Sequence, residues 1–83
     1  MKFHYLKINP EHLEQVILGN KTAEVRFNDR DFHVGDLLFL RGYLDGKYMN
    51  ARAVVQITHI LDNNEYMQPG FVVLSVKPFV CFN

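Results

Sequence analysis

The residues with most chemistry to offer follow one another between Gly19 and Asp36: Lys21, Thr22, Glu24, Arg26, Asn28, Asp29, Arg30 and Asp31. Read as a strand, residues 22 to 27 alternate in direction. Ala23, Val25 and Phe27 then share an apolar face expected in a core. Thr22, Glu24 and Arg26 share the other and set a hydroxyl, a carboxylate and a guanidinium in a row, just after Lys21. Glu24 and Arg26 stand about 6.5–7 Å apart along such a strand, within reach of each other's long side chains. A row of this kind can be a surface ladder that contributes little to stability. It can also read a ligand, Glu24 accepting from a base amino group while Arg26 grips a phosphate or a carbonyl edge. Asn28, Asp29, Arg30 and Asp31 continue as a polar turn. Cations at 21, 26 and 30 interleave with anions at 24, 29 and 31, which reads as a set of mutually oriented groups rather than a patch of one sign.

The elements that must hold this stretch are legible on either side. Residues 2 to 8 form a first strand, with Phe3, Tyr5 and Lys7 on one face and His4, Leu6 and Ile8 on the other. Asn9 is suited to cap a helix with Pro10 at its first position. Leu13, Val16 and Ile17 recur at helical spacing, and Gly19 ends the helix in a left-handed conformation. Lys21 is also placed to offset the partial negative charge of the last helix carbonyls. His33-Val34-Gly35-Asp36 reads as a tight turn. An apolar strand over residues 37 to 43 is joined by an Asp45-Gly46 hairpin to a long return strand, about Met49 to Leu61, which is expected to bend. Residues 62 to 70 read as a loop able to rim a groove. Phe71 to Val76 is a final buried strand, and Pro78 is expected to limit it. Phe32 plugs one end of the core or, alternatively, offers a ring to an unpaired base. Tyr5, Tyr43, Tyr48 and Tyr66 are equally eligible for stacking. Several strands and one early helix, without alternating βαβ units, point to a closed or half-closed barrel.

Composition narrows the partners. At 83 residues the chain reads as one domain over 1–83, burying somewhat more than about 60% of its unfolded surface. Nine basic side chains balance nine acidic ones. A protein that coats nucleic acid without regard to sequence needs clustered cations that release counterions from many phosphates. A neutral chain must recognise nucleic acid locally, in a pocket for a base or a few nucleotides. The single cysteine, Cys81, allows no intrachain disulfide and lies in an apolar segment, so a packed thiol and a reducing cytoplasm are expected. No signal peptide or membrane-length apolar run is read. His4, His12, His33 and His59 fall into no metal-ligand spacing, so no metal or cofactor is expected.

The pattern Gly-x-Lys-x-x-Glu-x-Arg at Gly19, Lys21, Glu24 and Arg26 resembles the signature of ASCH domains (activating-signal-cointegrator homology) in the PUA-like superfamily. Asn28 to Phe32, Val34-Gly35-Asp36, the opening His4 to Ile8 and the closing Phe71 to Lys77 resemble a small bacterial and phage branch, so the likeness spans nearly the whole chain. It implies a mainly β (α+β) fold: a small PUA-like β-barrel with a short helix near the N-terminus and a groove beside it. It further implies an RNA or nucleotide ligand held by Lys21, Glu24 and Arg26, with Thr22 nearby, Asn28, Asp29 and Arg30 at the rim, and His4 and Lys7 from the first strand.

Two other classes stand beside it. Some ASCH-like proteins resemble amidohydrolases of acylated cytidine that use a lysine, a threonine three residues later and a glutamate. A desolvated lysine can activate a hydroxyl for such attack. Here the threonine position is Glu24, Thr22 is adjacent to Lys21 instead, and Glu65 has no motif around it. The third class is a protein-interaction adaptor, which predicts an exposed apolar patch, with Phe79, Val80 and Phe82 as candidates.

Overall fold

A computed structural model describes residues 1–62, 65 and 68–82, with the backbone alone at residues 81 and 82. Expectations placed on Tyr66, on the side chains of Cys81 and Phe82, and on residues 63, 64, 66 and 67 of the 62–70 loop lie outside the described residues. The elements run β1 (Phe3–Ile8), α1 (Pro10–Ile17), β2 (Ala23–Phe27), β3 (Leu37–Leu44), β4 (Lys47–Leu61) and β5 (Phe71–Phe82). The strands form one sheet in the order β1-β3-β4-β5-β2. All neighbours are antiparallel except β1 and β3, which run parallel. The fold is mainly β, a curled five-stranded half-barrel with one short helix.

Local sequence accounts for each join. The Asn9 side chain accepts from the Glu11 N–H, Pro10 opens α1, and Gly19 follows the last turn with φ of 82°. Asp45 and Gly46 both adopt positive φ, as a two-residue hairpin between right-twisted strands requires. The register of β4 against β5 shifts between Val54 and Val55 and between Ile57 and His59, irregularities of the kind that bend a strand. The first of these shifts corrects the expectation at Pro78. Val55 pairs with Pro78 and Val54 with Val80, so β5 runs on to Phe82 and the proline sits at an irregularity, where a missing ladder donor is tolerated.

The core fills the concave side of the sheet. Leu6 and Ile8 of β1, Leu38 and Leu40 of β3, Val55 and Ile57 of β4, and Leu74 of β5 are buried there, and Leu13 and Val16 of α1 close over them. Phe32 is buried among them, as a plug. Leu13 approaches β3 at Gly42, where an added Cβ would lie 3.1 Å from the Met49 Cβ and 3.4 Å from a Leu13 methyl.

The faces of β2 are the reverse of the sequence expectation. Val25 and Phe27 are 62% and 53% exposed, whereas Glu24 is buried at 5%. The inversion has a physical cause. β2 is an edge strand, and its inner face looks across the open side of the half-barrel towards β1, where charged groups can satisfy one another. Its apolar side chains lie outside, where Phe27 meets Phe71 edge-on with ring centroids 5.4 Å apart.

Candidate functional site

Curling brings the two edge strands, β1 and β2, to face each other across an unpaired gap. Two arginines span it. The Arg26 guanidinium donates to the Lys7 carbonyl at 3.1 Å, and Arg30, in the turn after β2, donates to the Tyr5 carbonyl at 3.2 Å. Tyr5 and Lys7 are two residues apart, so both carbonyls point to the free edge of β1. The arginines latch the barrel where no ladder closes it.

Glu24 fixes the geometry of this latch. Its Oε1 lies 2.5 Å from the Lys21 ammonium and its Oε2 accepts from Arg26 Nε at 3.1 Å. The same ammonium also donates to the Ala23 carbonyl, so Lys21 turns towards Glu24 rather than back to the helix end. With one cation on each oxygen and its side chain buried, Glu24 orients Lys21 and Arg26.

A groove of about 600 Å³ opens over this latch and the outer face of β1. Its cations are Lys7, Arg26, Arg30 and Arg41, its rings are Tyr5, Phe39 and Tyr48, and none of the lining residues is acidic. Parallel pairing of β1 with β3 places Tyr5 beside Phe39 and Lys7 beside Arg41. The Lys7 ammonium sits 4.2 Å from the Tyr43 ring centroid, and the Arg41 guanidinium 5.1 Å from that of Tyr48. A second hollow of about 360 Å³ shares Lys7 and Arg26 with the first and reaches Lys21, Glu24, Asn9 and His12.

The expected site residues therefore divide. Lys7, Arg26 and Arg30 line the groove, and Lys21 and Glu24 join the first two in the second hollow. Thr22 is exposed, its carbonyl accepting from the Val76 N–H. Asn28 and Asp29 lie in the turn, where Asn28 accepts from the Phe32 N–H and Asp29 faces Arg30 at 3.9 Å, and neither lines either hollow. His4 is buried, with Nε2 donating to Asp36 Oδ2 at 2.8 Å and its ring tilted against Phe32, so it serves the core rather than the groove. Sequence reasoning missed Phe39 and Arg41. They alternate with Leu38, Leu40 and Gly42, a period-two signal on the outward face of β3.

Asp36 ties the start of β3 to β1. Besides the His4 ring it accepts from the Lys2 and His33 backbone N–H groups, at 2.9 and 3.0 Å. Burial alone would raise its pKa, but donation from Lys2, His4 and His33 outweighs that and lowers it to about 2. The hydrogen bond from the Lys2 ammonium lowers the exposed Asp31 carboxyl as well. Among the described residues, no three His, Cys, Asp or Glu side chains converge as a metal site requires.

Residues 3–76 match a family described as a domain of unknown function, DUF3850. The chain belongs to that family. It is similar to an uncharacterised 12.9 kDa protein in the GpA 3′ region of Escherichia phage P2, at 28% identity over 67 residues. The match covers 81% of this chain and 62% of the phage protein, so this DUF3850 chain spans less than two thirds of that relative's length. Its fold is similar to the crystal structure of the hypothetical protein PH0355, with a TM-score of 0.64 at 16% identity, covering 95% of this chain and 100% of that one. That likeness is one of fold.

Proposed function

We propose that this DUF3850 chain binds RNA or a nucleotide in the groove over β1, β3 and the arginine latch, and that it is an ASCH-type member of the PUA-like superfamily. The observation that carries the reading is the gathering of four cations and three aromatic rings, without an acid, in one groove of a chain with no net charge. Cations interleaved with rings suit phosphates and unpaired bases together. The Lys7 ammonium and Arg41 guanidinium lie against ring faces, and Arg30 reaches the groove on a partly exposed side chain. Glu24 holds Arg26 and Lys21 in place, a positioning role.

Equilibrium titration with labelled short RNA and with mononucleotides tests the reading. Arg30→Ala and Arg41→Ala each weaken binding about tenfold, the loss expected for one charge-assisted contact. Unchanged affinity in both variants contradicts the proposed groove. What speaks against the hydrolytic alternative is that Glu24 stands at the threonine position and, with the Ala23 carbonyl, holds the Lys21 ammonium. Including acetylated cytidine in the same titration tests it, turnover being the contrary result. The adaptor alternative rests on the exposed side chains of Phe79 and Val80. A protein partner retained by both arginine variants would favour it.

A further inference from the structure

One feature of the outer sheet face extends past the groove. Phe3 does not line the groove, yet its ring stacks on Tyr5 at 5.2 Å and lies 6.3 Å from Phe39, while Tyr5 and Phe39 are 5.4 Å apart. Phe3 and Tyr5 remain exposed, Tyr5 at 66%. Phe3 and Tyr5 keep ring surface in solvent for a ligand, with the half-buried Phe39 ring beside them. From Phe3 to Lys7 the strand covers about 13 Å, longer than one base. The basic groups are likewise spread along a line. Arg30 anchors at the Tyr5 carbonyl and Arg26 at the Lys7 carbonyl, roughly 6.6–7 Å further along β1. A clamp for a single nucleotide's phosphates would converge its cations on one point. Two guanidiniums spaced along a strand edge instead match successive phosphates of an extended chain.

We infer that the ligand is a single-stranded oligonucleotide of at least two consecutive unpaired nucleotides laid along β1, its bases on the Phe3–Tyr5–Phe39 platform and its phosphates along the line of Arg30 and Arg26. This rests on the nucleic-acid reading of the groove and narrows it: a lone nucleotide fills only part of the site. Unpaired bases are required because stacking on a ring needs a free π-face, which a duplex does not offer.

The test compares cytidine monophosphate with single-stranded oligomers of two, four and six nucleotides, as RNA and as DNA, and with a duplex of the same sequence. The proteins are the full chain and its Phe3→Ala variant, whose fold is checked by thermal melting. Affinity is expected to rise at least tenfold from the mononucleotide to the tetramer and to fall again for the duplex. Phe3→Ala should cost the tetramer about tenfold, as loss of a stacked base does, and cost the mononucleotide less, because Phe3 does not line the groove. If mononucleotide and tetramer bind equally, and Phe3→Ala changes neither, the oligonucleotide inference fails while the groove reading survives. Binding of none of the probes overturns both. The RNA and DNA arms show whether the sugar hydroxyl matters to the same stacking and phosphate chemistry.

Discussion

Glu24 carries more structural weight than any other charged side chain near the groove. It is buried with two cations on it, so removing the carboxylate strands Lys21 and Arg26, both partly buried. Loss of one partner from such a cluster costs about 3–5 kcal/mol when burial is complete. With these cations partly in water, Glu24→Ala is expected to destabilise the chain by about 2–3 kcal/mol in urea unfolding. Arg30→Ala removes a half-exposed side chain with one hydrogen bond to the Tyr5 carbonyl and should cost about 0.5–1 kcal/mol, well below Glu24→Ala, while weakening ligand binding. A comparable melting loss in both variants would argue that Arg30 is structural. Asp36 supplies a pH dependence with a defined sign. Its carboxyl is depressed from 3.8 to about 2 in the folded chain, so its stabilisation is present above about pH 4 and is lost as pH falls through about 2. A native stability curve that declines across that window, and flattens in Asp36→Asn, is the expected result.

At the scale of elements, the parallel pairing of β1 with β3 makes the groove. It sets Tyr5 beside Phe39 and Lys7 beside Arg41, from segments separated by a helix and a strand. No local pattern specifies that pairing, which is why Phe39 and Arg41 escaped a reading centred on residues 19–36. Where local chemistry decides, the sequence is plainly legible: Asn9-Pro10 opens α1, Gly19 ends it, and Asp45-Gly46 turns the hairpin. The faces of β2 were not legible, because alternation shows that Glu24 and Arg26 share a face but not which face is inside. The apolar set is the usual choice. On an edge strand across an open gap, paired charges occupy the inner face. Pro78 misleads for a similar reason, since only the register shift against β4 gives it a place within β5. Close packing of α1 on β3 has its own check. Gly42→Ala should cost about 1–3 kcal/mol, because the Met49 side chain and Leu13 must both give way.

For the whole molecule, charge distribution matters more than charge. The chain is neutral, yet the groove gathers cations without an acid, and Asp31, Asp29 and Glu24 are each set against Lys2, Arg30 or the Lys21–Arg26 pair. Binding should therefore be local and weakly salt-dependent. A few phosphates held by these cations give a slope of about −0.7 per phosphate in log affinity against log salt. A slope demanding far more contacts than Lys7, Arg26, Arg30 and Arg41 can make would point to a binding surface elsewhere. Among the described residues no helix is long and apolar enough to cross a membrane.

The most direct measurement is an amide NMR titration of the labelled chain with a single-stranded RNA tetramer. Saturable shifts confined to β1, the outward residues of β3, and the Arg26–Arg30 segment are the predicted result. Shifts centred elsewhere, on α1 or the exposed face of β2 and β5, or no shifts with any nucleic acid, would contradict the assignment of this groove as a nucleic-acid site.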